Sequence, residues 1–156
     1  MQEEYPAVDK DRLLIPALAG IYSRLAPLSY AFIRIVIAWM FLVGGIDKLF
    51  HGGAGRIAVG NITNLGLKPP YAWAWAVTLL EFFGAILLGL GLFTRPVAFA
   101  LAVELTVIAF GIMALRGFFW TTGGMEVALL MEAATIGFVF GGGGRYSLDR
   151  VWRREF

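Results

Sequence analysis

Long apolar stretches separated by short polar breaks set the pattern of this chain. The first covers residues 28–50, and Arg34, Asp47 and Lys48 are its only charges. The second covers 71–93 and is interrupted only by Glu81. After the turn Thr94-Arg95-Pro96, a third runs over 96–115 with Glu104 inside it, and a fourth over 124–141 carries Glu126 and Glu132. Each is close to the ~20 residues that cross a ~30 Å hydrocarbon core at ~1.5 Å per residue. Backbone polar groups in lipid need internal partners, which predicts helices. Barrel strands would alternate polar and apolar positions, whereas these segments are apolar all round. The expected fold is an all-α integral membrane protein, a four-transmembrane-helix bundle in one domain.

The flanks complete the layout. Residues 1–27 read as a cytoplasmic segment. It opens MQEEYPAVDKDR, which lacks the basic start and small-residue cleavage site of a signal peptide. Spaced apolar residues over 15–25 predict a short amphipathic helix on the membrane surface before the first span. Residues 28–141 form the membrane domain, and 142–156 form a basic cytoplasmic tail in which Ser147 or Asp149 is expected to cap a short helix. With four spans the termini share a side. Lys10, Arg12, Arg24, Arg95, Arg145, Arg150, Arg153 and Arg154 fall there, against Lys48, Arg56, Lys68 and Arg116 on the other. Eight basic residues against four place both termini in the cytoplasm of a multi-pass protein of a prokaryotic cell membrane. Tyr71, Trp73 and Trp75, with Phe118, Phe119 and Trp120, then read as aromatic belts at the outer edge.

Composition narrows the class. Hydrophobic residues make up 59% of the chain and charged residues 15%, so a lipid solvent explains it better than water does. The net charge of +2 is spread over span ends and is not a phosphate-tracking patch, which argues against nucleic acid as a partner. With no cysteine and one histidine, His51, the chain has no thiolate site, no iron–sulfur ligands and no bis-His haem pair. No metal and no covalent cofactor are expected, and no catalytic residue is assigned. Small residues at four-residue spacing (Ala85/Gly89, Ala98/Ala102, Ala133/Gly137/Gly141) mark close helix packing, within the bundle or against another subunit.

The charges inside the spans are the candidate chemistry. One ionisable side chain at mid-bilayer costs roughly 2.5–3.5 kcal/mol on insertion scales. Helix rise puts Arg34, Glu104 and Glu132 at a shared depth, ~9–13 Å from the inner edge, with Glu81 at ~18 Å. An inner layer of Arg34 with Glu104 and Glu132 is expected, because a guanidinium fork can hold two carboxylates. An outer layer of Asp47 and Lys48 with Glu126 lies beyond it, and Glu81 stands between. Asp47, Glu81, Glu104, Glu126 and Glu132 outnumber Arg34 and Lys48, so at least one Glu, Glu81 or Glu104, is expected to keep its proton. These residues form the expected ligand or proton site, although the Arg34 layer serves equally well to fix helix register.

Several motifs together resemble the DoxX family. They are Arg34 followed by an apolar run to GGIDKLF (44–50), LEFFGAILLGLGLFTRPVAFAL (80–101), and GGGGRYSLD (141–149). The similarity spans about 29–149 and includes Arg34, Asp47, Lys48, Glu81 and the Ser147-Leu148-Asp149 ending, whereas Glu104 and Glu132 stand outside the common pattern. The resemblance implies a small subunit of a quinol oxidase or thiosulfate:quinone oxidoreductase type of complex.

The leading expectation is thus an accessory subunit of a membrane redox complex that offers a quinone or proton site and takes electrons from membrane or soluble redox partners. A non-catalytic assembly or structural subunit of a larger membrane complex is the alternative, and a homo-oligomer in the bilayer is the other association expected. A proton-coupled transporter of a small solute ranks last, since no internal repeat supports alternating access.

Overall fold

A computed structural model of the chain describes residues 13–152. The expectations for Lys10, Arg12, Arg153 and Arg154, and for the first residues of the amino-terminal segment, lie outside it. The described residues form helices joined by turns and short loops, with no strand among them. A 3₁₀ turn Pro16–Leu18 leads into α1, Ala19–Phe50. Helix α2, Gly53–Ile57, continues as a π-helical stretch Ala58–Ile62. Helix α3 is Pro70–Leu90, and α4, Thr94–Thr106, runs on through a π-helical stretch Val107–Met113 and a 3₁₀ turn Ala114–Arg116. A further 3₁₀ turn, Trp120–Thr122, precedes α5, Glu126–Gly141, and α6 is Leu148–Trp152.

Helix α1 lies along α3, α3 packs on α4, α4 on α5, and α5 closes back on α1. Among the described residues three segments are long and apolar enough to cross a membrane: Pro16–Phe50, Pro70–Leu90 and Thr94–Arg116. Helix α5 has 16 residues, about 24 Å at helical rise, which is shorter than those three. The surface helix expected over 15–25 is instead the start of α1, which continues unbroken through Pro27 for 32 residues. An interior proline removes one backbone donor, yet helices in apolar surroundings tolerate it where neighbouring groups take up the freed carbonyl.

The bundle is apolar outside and mixed inside. Phe32, Trp39, Phe83, Phe99, Phe110, Leu130 and Phe140 are exposed, while Arg34, Thr78, Glu81, Thr94, Glu104 and Thr135 are buried alongside Ile37, Phe41, Leu88, Leu101 and Phe138. That distribution suits a lipid solvent, in which burial of polar groups drives packing as much as burial of apolar ones. Backbones approach closely where the sequence supplies small residues. A methyl on Gly45 of α1 would lie 2.7 Å from the backbone nitrogen of Phe82 on α3. Two of the small-residue rows face inward, since Ala85, Ala98 and Ala102 are buried. The third differs: Ala133 and Gly137 on α5 are exposed, and a methyl on Gly137 would meet nothing.

Candidate functional site

A cavity of about 330 Å³ opens between α1, the π-helical end of α4 and the start of α5. Its walls are Met40, Phe41, Leu105, Ile108 and Met131, the Trp120 and Gly123–Gly124 loop borders it, and Glu81 is the single ionisable residue in the lining. Local sequence explains the space. Gly44 faces Glu81 with no side chain, and a methyl there would sit 3.0 Å from Glu81 Oε2 and 3.4 Å from Lys48 Nζ. The π-helical stretch that carries Ile108 and Met113 widens α4, a distortion that recurs at functional sites.

Behind the lining lies a charged cluster. Lys48 Nζ of α1 donates to Glu81 Oε2 of α3 in a direct ion pair, with Lys48 and Glu81 side chains 19% and 6% exposed. Glu104 of α4 is 8% exposed, and apart from the facing Glu81 carboxyl neither of its oxygens has a hydrogen-bond partner. Its charged neighbours are Glu81 and Lys48. Three helices thus each contribute one ionisable group: one ammonium and two carboxyls.

The expected inner layer does not form. Arg34, 2% exposed, turns away from Glu104 and Glu132 and donates to the carbonyl oxygens of Gly143 and Tyr146, 2.6 Å for the latter, with Gly89 O at 3.5 Å. A helix register fitted by rise alone gives depth but not azimuth, and the carbonyls of the Gly-rich exit occupy the direction in which the guanidinium points. This end of the bundle is a polar lock. Tyr30 Oη donates to Gly142 O at 2.8 Å, and Gly144 adopts φ +73° against the Tyr30 ring. Asp149 accepts from the backbone N–H groups of Phe93 at 2.7 Å and Thr94 at 2.9 Å, while its own N–H donates to Gly91 O. Ser147 Oγ accepts from Arg150 N and so caps α6, as expected.

The outer layer also divides. Asp47 is exposed and pairs with Arg56 at 2.6 Å. Glu126, at the start of α5, accepts from Trp120 N at 3.1 Å and so holds the loop beside the cavity. Glu132 accepts from Thr106 Oγ1 at 2.6 Å, tying α5 to α4. Of the seven expected site residues, Lys48, Glu81 and Glu104 come together, and Arg34, Asp47, Glu126 and Glu132 each serve elsewhere. His51 is exposed in the turn after α1, its carbonyl bonded by Arg56. Sequence reasoning missed the cavity's wall residues, and it read Trp120 as a membrane anchor in preference to a ligand contact. The methionines at 40, 113 and 131 were a readable signal only in outline, because no spacing rule places three different segments around one void.

Fold and site together define an all-helical membrane protein with a polar cluster beneath an apolar cavity. The DoxX family model matches residues 29–115, and the chain belongs to the DoxX family. A Haemophilus influenzae protein described as uncharacterized is 39% identical over 138 residues, covering 83% of this chain and 94% of that protein. No solved structure matches the chain.

Proposed function

We propose that the chain is a small accessory subunit of a quinone-linked redox assembly in the cell membrane, with both termini cytoplasmic and α5 with its preceding loop completing a fourth crossing. The observation that carries this reading is the cavity: an apolar void of about 330 Å³ with one ion-paired carboxylate, Glu81, in its lining. Ligand sites of this kind are mostly apolar, start near ~300 Å³, and use few polar groups to set orientation. In this reading a ring of benzoquinone size lies against Met40, Phe41 and Met131, with Trp120 and Glu81 also in the lining. The chain supplies binding, orientation and a proton partner, while a partner protein supplies the electrons.

The test is extraction into nanodiscs, identification of co-purifying proteins and lipids by mass spectrometry, and titration with a short-tailed quinone. Stoichiometric redox subunits and a saturable site weakened roughly 10- to 100-fold by Glu81→Gln are expected, the range for losing a bond to a charged group. A chain that emerges alone and binds no quinone would overturn the reading.

A second reading, a non-catalytic assembly subunit, is favoured by the outward row of Ala133 and Gly137 on α5. Under it, Gly137→Leu releases partner proteins, and Glu81→Gln leaves every quinone-dependent rate unchanged.

A further inference from the structure

We propose that Glu81 and Glu104 form a carboxyl pair that holds one proton between them, with Lys48 balancing the remaining negative charge, and that this pair exchanges a proton with a hydroxyl-bearing ligand in the cavity. Its link to a ligand rests on the cavity reading above.

Three observations carry it. First, the cluster contains two carboxyls and one ammonium, all on bundle-facing sides of α1, α3 and α4. A fully ionised cluster would leave one uncompensated negative charge away from water, which is strongly unfavourable. Second, among the described residues Lys48 is the cation that faces the pair, while Arg34 is turned to the carbonyls of Gly143 and Tyr146, and Arg56 to Asp47. The carboxylates of α5 are also engaged elsewhere, Glu132 with Thr106 and Glu126 with Trp120 N. Third, the buried Glu104 carboxyl faces the Glu81 carboxyl, and no other group hydrogen-bonds either of its oxygens, so it has free capacity to donate or accept within the pair.

The roles differ by position. Glu81 lines the cavity and Glu104 does not, so Glu81 meets the ligand and Glu104 stands behind it. As the Lys48-paired carboxylate, Glu81 offers an acceptor only, and a ligand headgroup must therefore bring a donor, such as the hydroxyl of a hydroquinone ring. In the exchange, the ligand O–H bond breaks and an O–H bond forms at Glu81, with the bonding electron pair left on the ligand oxygen. Both carboxyls are then neutral, and the ligand anion balances Lys48. No electron is transferred in this step.

Difference infrared spectroscopy on the purified full chain in nanodiscs, with carbon-13 labelled glutamate, reads the pair directly. One protonated-carboxyl band is expected without ligand. Its loss is expected in Glu81→Gln and equally in Glu104→Gln, because either change leaves a single carboxylate beside Lys48. A decylhydroquinone probe should shift the band, and its dimethyl ether, which lacks the donor, should not. Absence of the band in the unsubstituted protein, or its survival in both Gln variants, overturns the pair whatever the cavity binds. If the band is present but the two probes act alike, proton exchange with the ligand is overturned while the pair stands. If neither probe binds, the cavity reading itself fails. The probe comparison uses the unsubstituted chain and so does not depend on a Gln variant folding.

Discussion

At the scale of single residues, glycine and arginine do work that larger or simpler side chains cannot. Gly45 lets α1 touch the α3 backbone, since a methyl there would fall 2.7 Å from Phe82 N and 2.8 Å from its Cα. Backbone cannot move aside as a flexible side chain can, so Gly45→Ala should destabilise the bundle by about 1–3 kcal/mol, as overpacking does. Thermal unfolding in detergent should show it, and an unchanged midpoint would refute the close contact. Arg34 reaches several carbonyls at once because its fork presents donors in more than one direction. Lysine concentrates its charge at one atom, so Arg34→Lys should retain the charge but lose part of the lock. The expected loss is about 1.5–3 kcal/mol, read by the same unfolding measurement.

At the scale of elements, helix ends are tied together by side chains from distant parts of the chain. Helix α3 stops at Gly91, φ +68°, where Leu92 N bonds Leu87 O and Gly91 N bonds Leu88 O, the pattern of a glycine-terminated helix. Phe93 follows at φ 51°, an uncommon conformation for a residue with a side chain, and the Asp149 carboxylate grips its N–H and that of Thr94. Asp149→Ala should therefore loosen the α3–α4 turn and detach α6, and proteolysis or hydrogen exchange at 91–95 should increase. Arg95 completes this end by donating to Val139 O and Phe140 O at the carboxyl terminus of α5, where a cation is favoured. At the opposite end, Glu126→Gln should weaken its contact with Trp120 N and free the loop beside the cavity. Trp120 fluorescence should then become more accessible to a water-soluble quencher, with the bundle's unfolding midpoint little changed.

At the scale of the whole molecule, the two ends of the bundle have separate tasks. The end holding the α3–α4 turn, the Gly-rich exit and α6 is locked by Arg34, Tyr30 and Asp149. The other end holds α2, the aromatic loop that borders the cavity, and the exposed ion pair of Asp47 with Arg56. Orientation belongs to this scale. Since the chain has no cysteine, single cysteines introduced at His51 and Arg145 should react from opposite sides of sealed cells, His51 from outside. Labelling of both from one side would overturn the four-crossing arrangement.

The amino-acid sequence by itself determined the solvent, the helical class, the break points at Thr94–Pro96 and the Gly-rich exit, and the identity of every ionisable group in the apolar segments. Those follow from hydropathy, helix rise and turn chemistry, which are local. It also carried enough motif to point to the family. Only the tertiary structure decided which charges meet. Helix rise gives depth along the bundle, but pairing depends on the rotation of each helix about its axis and on which backbone carbonyls lie uncapped nearby. Arg34 was thus drawn to the carbonyls of Gly143 and Tyr146, and Glu104 was left facing Glu81 and Lys48. The cavity is likewise a product of packing, because Met40, Leu105 and Met131 become neighbours only when α1, α4 and α5 are set around the space beside Gly44.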